Sequence, residues 1–152
     1  MRTRIWNMFV VAALLSTVGM LGCKNSEKAG TGLAEPVAIS ESVSGNSAAL
    51  KSIGAWHIET KEAYDALGDA EIFPGELDFD KNDLVIVALG EQKTGGYAVA
   101  IESIQLVDGE LAVAGKATAP GPDAVTTQAL TYPYSAVIIP NTDADSVVPY
   151  ID

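Results

Sequence analysis

The feature that most constrains the fold is a β-hairpin predicted around Asp108-Gly109. An Asp-Gly pair is typical of a two-residue turn in which both residues adopt positive φ. Such a turn pairs Leu106 with Leu111 and Ile104 with Val113, which places four apolar side chains on one face of a sheet. Because the turn and the apolar pattern agree, this region is predicted to be antiparallel β-structure.

Further strands are predicted on both sides of this hairpin. Apolar residues on both faces are typical of a central strand, and they occur over Leu84–Leu89 and Tyr134–Ile139. In the strand Tyr97–Leu106 the apolar residues change phase, which predicts a β-bulge near Glu102 or Ser103. One more strand is predicted over Thr126–Thr131. Short strands separated by regular turns favour a sandwich or a barrel.

One short helix is predicted near the start of the folded region, after a short strand over Ala55–Ile58. Thr60 is a residue type that caps helix N-termini, Tyr64 and Leu67 then share one face, and Gly68 can end the helix. The predicted fold class is therefore mostly β. It is either a compact β-sandwich or a partly open barrel, with one short helix near its start.

The first 22 residues have the layout of a removable export signal. Arg2 and Arg4 precede an apolar stretch, Met8–Val18, which is much shorter than the roughly 20 residues of a bilayer-spanning helix. The segment Met20-Leu21-Gly22-Cys23 resembles the lipobox of bacterial lipoproteins. Cys23 is the only cysteine in the chain, and we expect it to carry the acyl groups, including palmitate, as the first residue of the mature protein. The alternative is an ordinary signal followed by a free cysteine.

Composition divides the rest of the chain into two segments. Residues 23–52 are rich in small and polar residues without sustained periodicity, which predicts a flexible tether. Residues 53–152 are predicted to form a single β domain. Lys24 follows the cysteine in place of the Asp that favours inner-membrane retention in enterobacteria-like sorting. We therefore expect lipid anchoring in the outer membrane of a bacterial cell envelope.

The formal net charge of −11 limits the classes of partner. An acidic surface repels phosphate backbones, which argues against nucleic-acid binding. The chain also offers no polybasic attraction to anionic lipid, so the membrane is expected to be bound through the lipid on Cys23.

No group of residues has the spacing of a catalytic or metal site. His57 is the only histidine, and nothing selects a carboxylate or nucleophile to act with it. The segment Asp78–Asn82 resembles the first half of a calcium loop. However, Asp83 and Leu89 stand where the required Gly and bidentate Glu would be. The sequence therefore predicts a non-enzymatic protein without a metal or cofactor.

Several short segments, in the same order along the chain, resemble the C-terminal domain of the PrcB family. The segments Gly90–Tyr97, Pro120-Gly121-Pro122 and Tyr132-Pro133-Tyr134 match its Leu-Gly to Thr-Gly-Gly-Tyr loop, its Pro-Gly-Pro loop and its Pro-Tyr strand. Upstream, Ala63–Leu67 and Asp78-Phe79 fit its helix and its Asp-Phe element. The resemblance covers about residues 54–140. It implies a protein-binding lipoprotein that stabilises an exported subtilisin-like protease complex.

Two other functions remain open. Thr94–Tyr97 is similar to the Thr-Thr-Gly loop that chagasin-type inhibitors insert into cysteine peptidases, although Gln92-Lys93 replaces the preceding Asn-Pro. The chain would then be a competitive peptidase inhibitor. A structural envelope lipoprotein without a specific partner is the third interpretation.

The predicted partner-binding residues lie on the loop before the Tyr97 strand and on the Pro-Tyr segment. Adjacent glycines allow positive φ and close approach of another chain, and an exposed aromatic ring can anchor an interface. Alternatively, the glycines turn the chain and Tyr97 packs on the sandwich. The predicted residues are Thr94, Gly95, Gly96, Tyr97, Tyr132 and Tyr134.

Overall fold

The computed structural model describes residues 33–68 and 72–152. About half of the described chain is in β-strands, and one short helix follows the third strand. The elements are β1 (Glu35–Val37), β2 (Glu41–Asn46), β3 (Ile53–Ile58), α1 (Lys61–Asp65), β4 (Asn82–Leu89), β5 (Ala98–Val107), β6 (Glu110–Thr118), β7 (Pro133–Pro140) and β8 (Ser146–Ile151).

The strands form two four-stranded sheets, one with the order β1-β5-β6-β8 and the other with the order β2-β7-β4-β3. β6 and β8 are parallel, and the remaining neighbours are antiparallel. Buried side chains from both sheets share one hydrophobic core. The predicted mostly β fold with one short helix is therefore confirmed, and the sandwich is the form that it takes.

The central strand β4 contacts two different cores with its two faces. Val85 and Val87 face the other sheet, where they join Val113. Leu84 and its alternate neighbours face a second core that is covered by Phe73, Tyr64 and other residues around α1. These residues around α1, which we call the covering layer, bury the outer face of the sheet. Both faces of β4 and β7 are therefore apolar, whereas a sheet with one face in solvent would have polar residues on that face.

The helix α1 begins where the sequence predicts it. The Thr60 hydroxyl oxygen accepts a hydrogen bond from the Ala63 amide at 3.2 Å, which satisfies one of the free amides of the first turn. Gly68 has a φ of 114°, which suits the end of a helical segment. The Tyr64 hydroxyl accepts a hydrogen bond from the Phe73 amide at 3.0 Å and so attaches the helix to the covering layer.

The predicted hairpin is confirmed in its turn, register and bulge. Asp108 and Gly109 have φ values of 51° and 83°, and Leu106 pairs with Leu111. The register between β5 and β6 shifts between Ile101 and Ser103. The apolar phase change therefore marked the position of the extra residue.

The predicted tether is wrong over residues 35–51. β2 pairs with β7 along its whole length, β1 pairs with β5, and Leu50 is buried in the second core. Small polar residues form these strands because both lie at sheet edges, where backbone pairing needs little side-chain burial. The folded domain consequently begins well before residue 53. The predicted signal at residues 1–22, Cys23 and the remainder of the tether up to residue 32 lie outside the described residues.

Two further expectations differ from the structure near the C-terminal side of the chain. Thr126–Thr131 is an exposed connection instead of a strand, and only Thr131 pairs, with Gln92. The last strand, β8, was not predicted from the sequence. It runs parallel to β6, and its central Pro149 suits an outer strand because proline cannot donate to a further neighbour.

Candidate protein-binding surface

Three connections meet at one end of the sandwich, which we call the loop end. They are residues 47–52, 90–97 and 119–132. The Glu91 amide donates to the Lys51 carbonyl at 3.2 Å, and the Ser47 amide donates to the Tyr132 carbonyl at 3.0 Å. Gln92 and Thr131 exchange two backbone hydrogen bonds of 2.8 and 2.9 Å. The three connections therefore form one hydrogen-bonded surface.

The two glycines of the predicted site contact the protein's own neighbouring connection. The Gly95 amide donates to the Thr127 carbonyl at 3.0 Å, and a Cβ at position 95 would lie 2.5 Å from Thr127 Oγ1. Gly96 has a φ of 89°, and a Cβ there would lie 3.0 Å from Pro120. The Thr131 hydroxyl donates to the Thr94 carbonyl at 2.8 Å. The close approach that these glycines allow is thus made to another segment of the same chain.

The predicted aromatic residues lie in different environments. Tyr97 is half-buried, and Tyr132 is half-buried with its hydroxyl donating to Glu91 Oε2 at 3.1 Å. That hydrogen bond to a carboxylate raises the pKa of Tyr132. Tyr97 and Tyr132 therefore remain candidates for contact with a partner.

Tyr134 is a core residue, so its prediction as a partner-binding residue is wrong. Its side chain is 6% exposed, and its hydroxyl donates to the Ile72 carbonyl at 2.7 Å. Burial raises the pKa of Tyr134, because a phenolate would lose its hydration there. The alternation along β7 turns this ring into the second core.

The sequence prediction does not include the most exposed apolar side chains at the loop end. Val125 is 103% exposed, Ile53 is 78% exposed and Leu130 is 56% exposed. The exposure of Leu130 was not expected, because the predicted strand over Thr126–Thr131 would have packed its side chain in the sandwich. Pro120-Gly121-Pro122 was the available signal, since two prolines favour a projecting connection over a paired strand.

Charge differs between the two ends of the sandwich. At the loop end, Lys51 and Lys93 are exposed and form no ion pair with a described residue. Exposed carboxylates also lie at this end, on Glu91, Asp123 and Asp152. Lys61 and Lys81 pair with acidic neighbours near α1 and the start of β4. The opposite end, which we call the turn end, carries acidic residues on the β5–β6 turn and on the β7–β8 connection. These are Asp108, Asp143 and Asp145.

His57 belongs to a buried polar cluster at the turn end. His57 Nε2 lies 3.0 Å from Asp83 Oδ2, and the same oxygen accepts from the Thr142 amide at 2.8 Å. Both side chains are largely buried, with exposures of 7% and 3%. The cluster joins β3, β4 and the β7–β8 connection, which is a structural role.

Neither a metal site nor a membrane-spanning helix occurs in the part of the chain that the structure describes. Residues 33–68 and 72–152 contain no group of histidine, cysteine and carboxylate side chains arranged to hold a metal ion. Within the same ranges, no helix has the length and hydrophobicity needed to cross a bilayer. Asp78 instead pairs with Lys81 and accepts a hydrogen bond from the Asp80 amide, and these two interactions lower the pKa of Asp78.

The fold and this surface define a β-sandwich domain whose distinctive feature is a cluster of long connections at one end. Residues 84–140 match the family described as PrcB C-terminal. The match confirms the resemblance predicted from the sequence over β4 to β7, a stretch that includes two of the three loop-end connections. No curated protein and no solved structure matches the chain.

Proposed function

We propose that this chain is a lipid-anchored envelope protein whose β domain binds a protein partner as a non-catalytic subunit of an exported protease complex. The observation that carries the proposal is the family match over residues 84–140, because PrcB proteins are accessory subunits. The matched stretch spans residues 90–97 and 119–132, so the family-like part of the chain contains most of the loop end. Functional residues are concentrated on such connections, which a rigid scaffold positions.

The anchor is the part of the proposal that rests on sequence alone. Attachment of lipid at Cys23 would hold the domain at the membrane without a spanning helix. We expect wild-type protein to incorporate a palmitate analogue in growing cells and to fractionate with the outer membrane. Cys23→Ala should lose the label, and Lys24→Asp should keep the label but move the protein to the inner membrane. Undiminished labelling of the Cys23→Ala protein would contradict lipid attachment.

The partner can be sought with the intact lipoprotein. Affinity purification from its native envelope, after mild cross-linking, should enrich a peptidase or a component of a peptidase complex relative to an unrelated lipoprotein with the same tag. Recovery of no specific protein would contradict the proposed function and favour a structural envelope role. Adding purified domain to the recovered peptidase then separates a subunit from an inhibitor. A subunit preserves or raises proteolysis, whereas a competitive inhibitor abolishes it in proportion to its concentration.

The inhibitor interpretation has less support from the geometry of the loop end. An inhibitory wedge needs the backbone of Thr94–Gly96 free to enter a cleft. Gly95 is instead bonded to Thr127, and Gly96 packs beside Pro120. The connection 119–132 lies over these glycines and is the more accessible of the two.

A further inference from the structure

The connection 119–132 is held by several hydrogen bonds although most of it belongs to no strand or helix. Its first part forms a turn in which the Ala124 amide donates to the Gly121 carbonyl at 3.0 Å. Its second part is bonded to the neighbouring connection through Thr127 and Thr131. Structureless connections of this length are uncommon in compact domains and are usually either functional or disordered, and the hydrogen bonds of this connection argue against disorder. The hydrogen bonds at its base mean that little ordering would remain to be done on binding.

The apolar side chains of this connection face solvent. Val125 is fully exposed and Leu130 is more than half exposed, whereas the intervening Thr126 packs its methyl group towards Gly96. Exposed apolar side chains on this hydrogen-bonded connection contribute little to folding, but they gain free energy if a partner removes them from water. Because they project from the end of the sandwich, they suit a concave partner surface better than a flat one.

The charges beside these side chains indicate the character of the partner. Lys93 lies on the connection 90–97, which is hydrogen-bonded to Thr131. The carbonyl of Lys51 accepts a hydrogen bond from Glu91 of that same connection. Neither lysine has an ion-pair partner among the described residues, and Glu91 is already hydrogen-bonded to Tyr132. Asp123 at the tip and Asp152 beside the end of β6 carry the opposite charge. Carboxylates on a partner would be attracted by the two lysines and repelled by Asp123, by Asp152 and by the turn end.

We propose that Val125 and Leu130 insert into an apolar pocket of a partner protein whose rim carries carboxylates that face Lys51 and Lys93. The inference rests on the proposed function, because it describes how the same protein partner is recognised. It also assigns the main contact to residues 119–132 instead of Thr94–Gly96.

Site-specific photo-cross-linking in the native envelope tests the position of the contact. A photoreactive residue is placed at Val125, at Leu130 or at Asp143, which lies at the turn end and is the control. We expect Val125 and Leu130 to give an adduct with one and the same protein, and Asp143 to give none with it. An adduct with a second copy of this chain, equal adducts from all three positions or no adduct from the first two would overturn the inference.

Affinity measurements with the cross-linked protein, once purified, test the chemistry. Val125→Asp should raise Kd by about tenfold or more, as expected for the loss of a central anchor, with Val125→Ile as the conservative control. Lys93→Glu should slow association, and Asp123→Asn should speed it, with both effects reduced by salt. Thermal unfolding of each variant should stay unchanged, because these side chains are exposed. Unchanged Kd for Val125→Asp, or charge effects of the opposite sign, would refute the proposed chemistry.

The two proposals fail in different ways. If affinity purification recovers a partner that Val125 and Leu130 do not contact, the proposed function stands and the inferred site is wrong. If no partner is recovered from the envelope, the proposed function itself is contradicted.

Discussion

Tyr132 and Tyr134 are two residues apart, yet one hydroxyl binds a surface carboxylate and the other a buried carbonyl. Tyr132 precedes β7 and lies at the loop end, whereas Tyr134 lies within β7 and faces the second core. A single residue type in a similar sequence context therefore has two roles. The difference becomes measurable when each hydroxyl is removed.

Tyr134→Phe should lower the free energy of unfolding by about 1–2 kcal/mol, because the buried Ile72 carbonyl loses its hydrogen bond. Burial raises the pKa of Tyr134 above its ordinary value of about 10. The stability contributed by its protonated form is therefore intact below pH of about 10, and it is lost as the pH rises through the folded-state pKa. Urea unfolding at neutral and alkaline pH measures both effects. Tyr132→Phe is the control, and an equal loss in both variants at neutral pH would contradict the assignment.

At the scale of elements, the loop end depends on how closely two connections approach each other. Residues 90–97 and 119–132 share hydrogen bonds from Gly95 and Thr131, and the missing side chain at Gly95 leaves room for Thr127. The glycines thus act in packing between the two connections, which is the alternative interpretation of the sequence. Whether Thr94 and Tyr97 also contact a partner stays a prediction.

Gly95→Ala should destabilise the domain by about 1–3 kcal/mol, because the new methyl group would meet the Thr127 hydroxyl and force the connections apart. Gly121→Ala is the matched control, since nothing lies within 4 Å of its added Cβ. The double variant with Thr127→Ala should recover part of the loss. Chemical denaturation measures the free energy of unfolding of the two single variants and the double variant. Equal stability of the Gly95→Ala and Gly121→Ala proteins would show that the connections are not tightly packed.

At the scale of the whole molecule, the first two strands close the sandwich. β2 covers the edge of β7, and the Ser44 hydroxyl donates to the Val99 carbonyl of the other sheet at 3.4 Å. Ser135 accepts from the Ile101 amide at 3.3 Å, which satisfies a further group on β5. Exposed strand edges promote aggregation, and the pairing of β1 with β5 and of β2 with β7 covers two such edges.

Deletion of residues 24–46 should therefore remove cooperative unfolding and promote aggregation, because it exposes the edges of β5 and β7. A variant that lacks residues 24–32 is the matched control, since it keeps β1 and β2. Calorimetry measures the cooperativity of unfolding of the two deletion variants, and light scattering measures their aggregation. A cooperative, monomeric protein without residues 24–46 would restore the tether interpretation for the whole segment.

The sequence by itself determined the features that depend on local backbone preference and on alternation. Asp108-Gly109 specified its turn and register, Thr60 specified the start of α1, and the phase change in β5 marked the bulge. The apolar runs in β4 and β7 identified the central strands, because burial on both faces leaves few alternatives. The family-like stretch was also recognisable from its short motifs.

Only the tertiary structure decided which polar segments become strands and which apolar residues stay exposed. β1 and β2 are ordered by edges that distant strands provide, and such pairing leaves little trace in their own composition. The same holds for β8, whose neighbour β6 lies far earlier in the chain. Conversely, Val125 and Leu130 carry apolar side chains that nothing in the described fold covers completely. Both outcomes arise because pairing and burial depend on contacts between distant residues, which local periodicity does not encode.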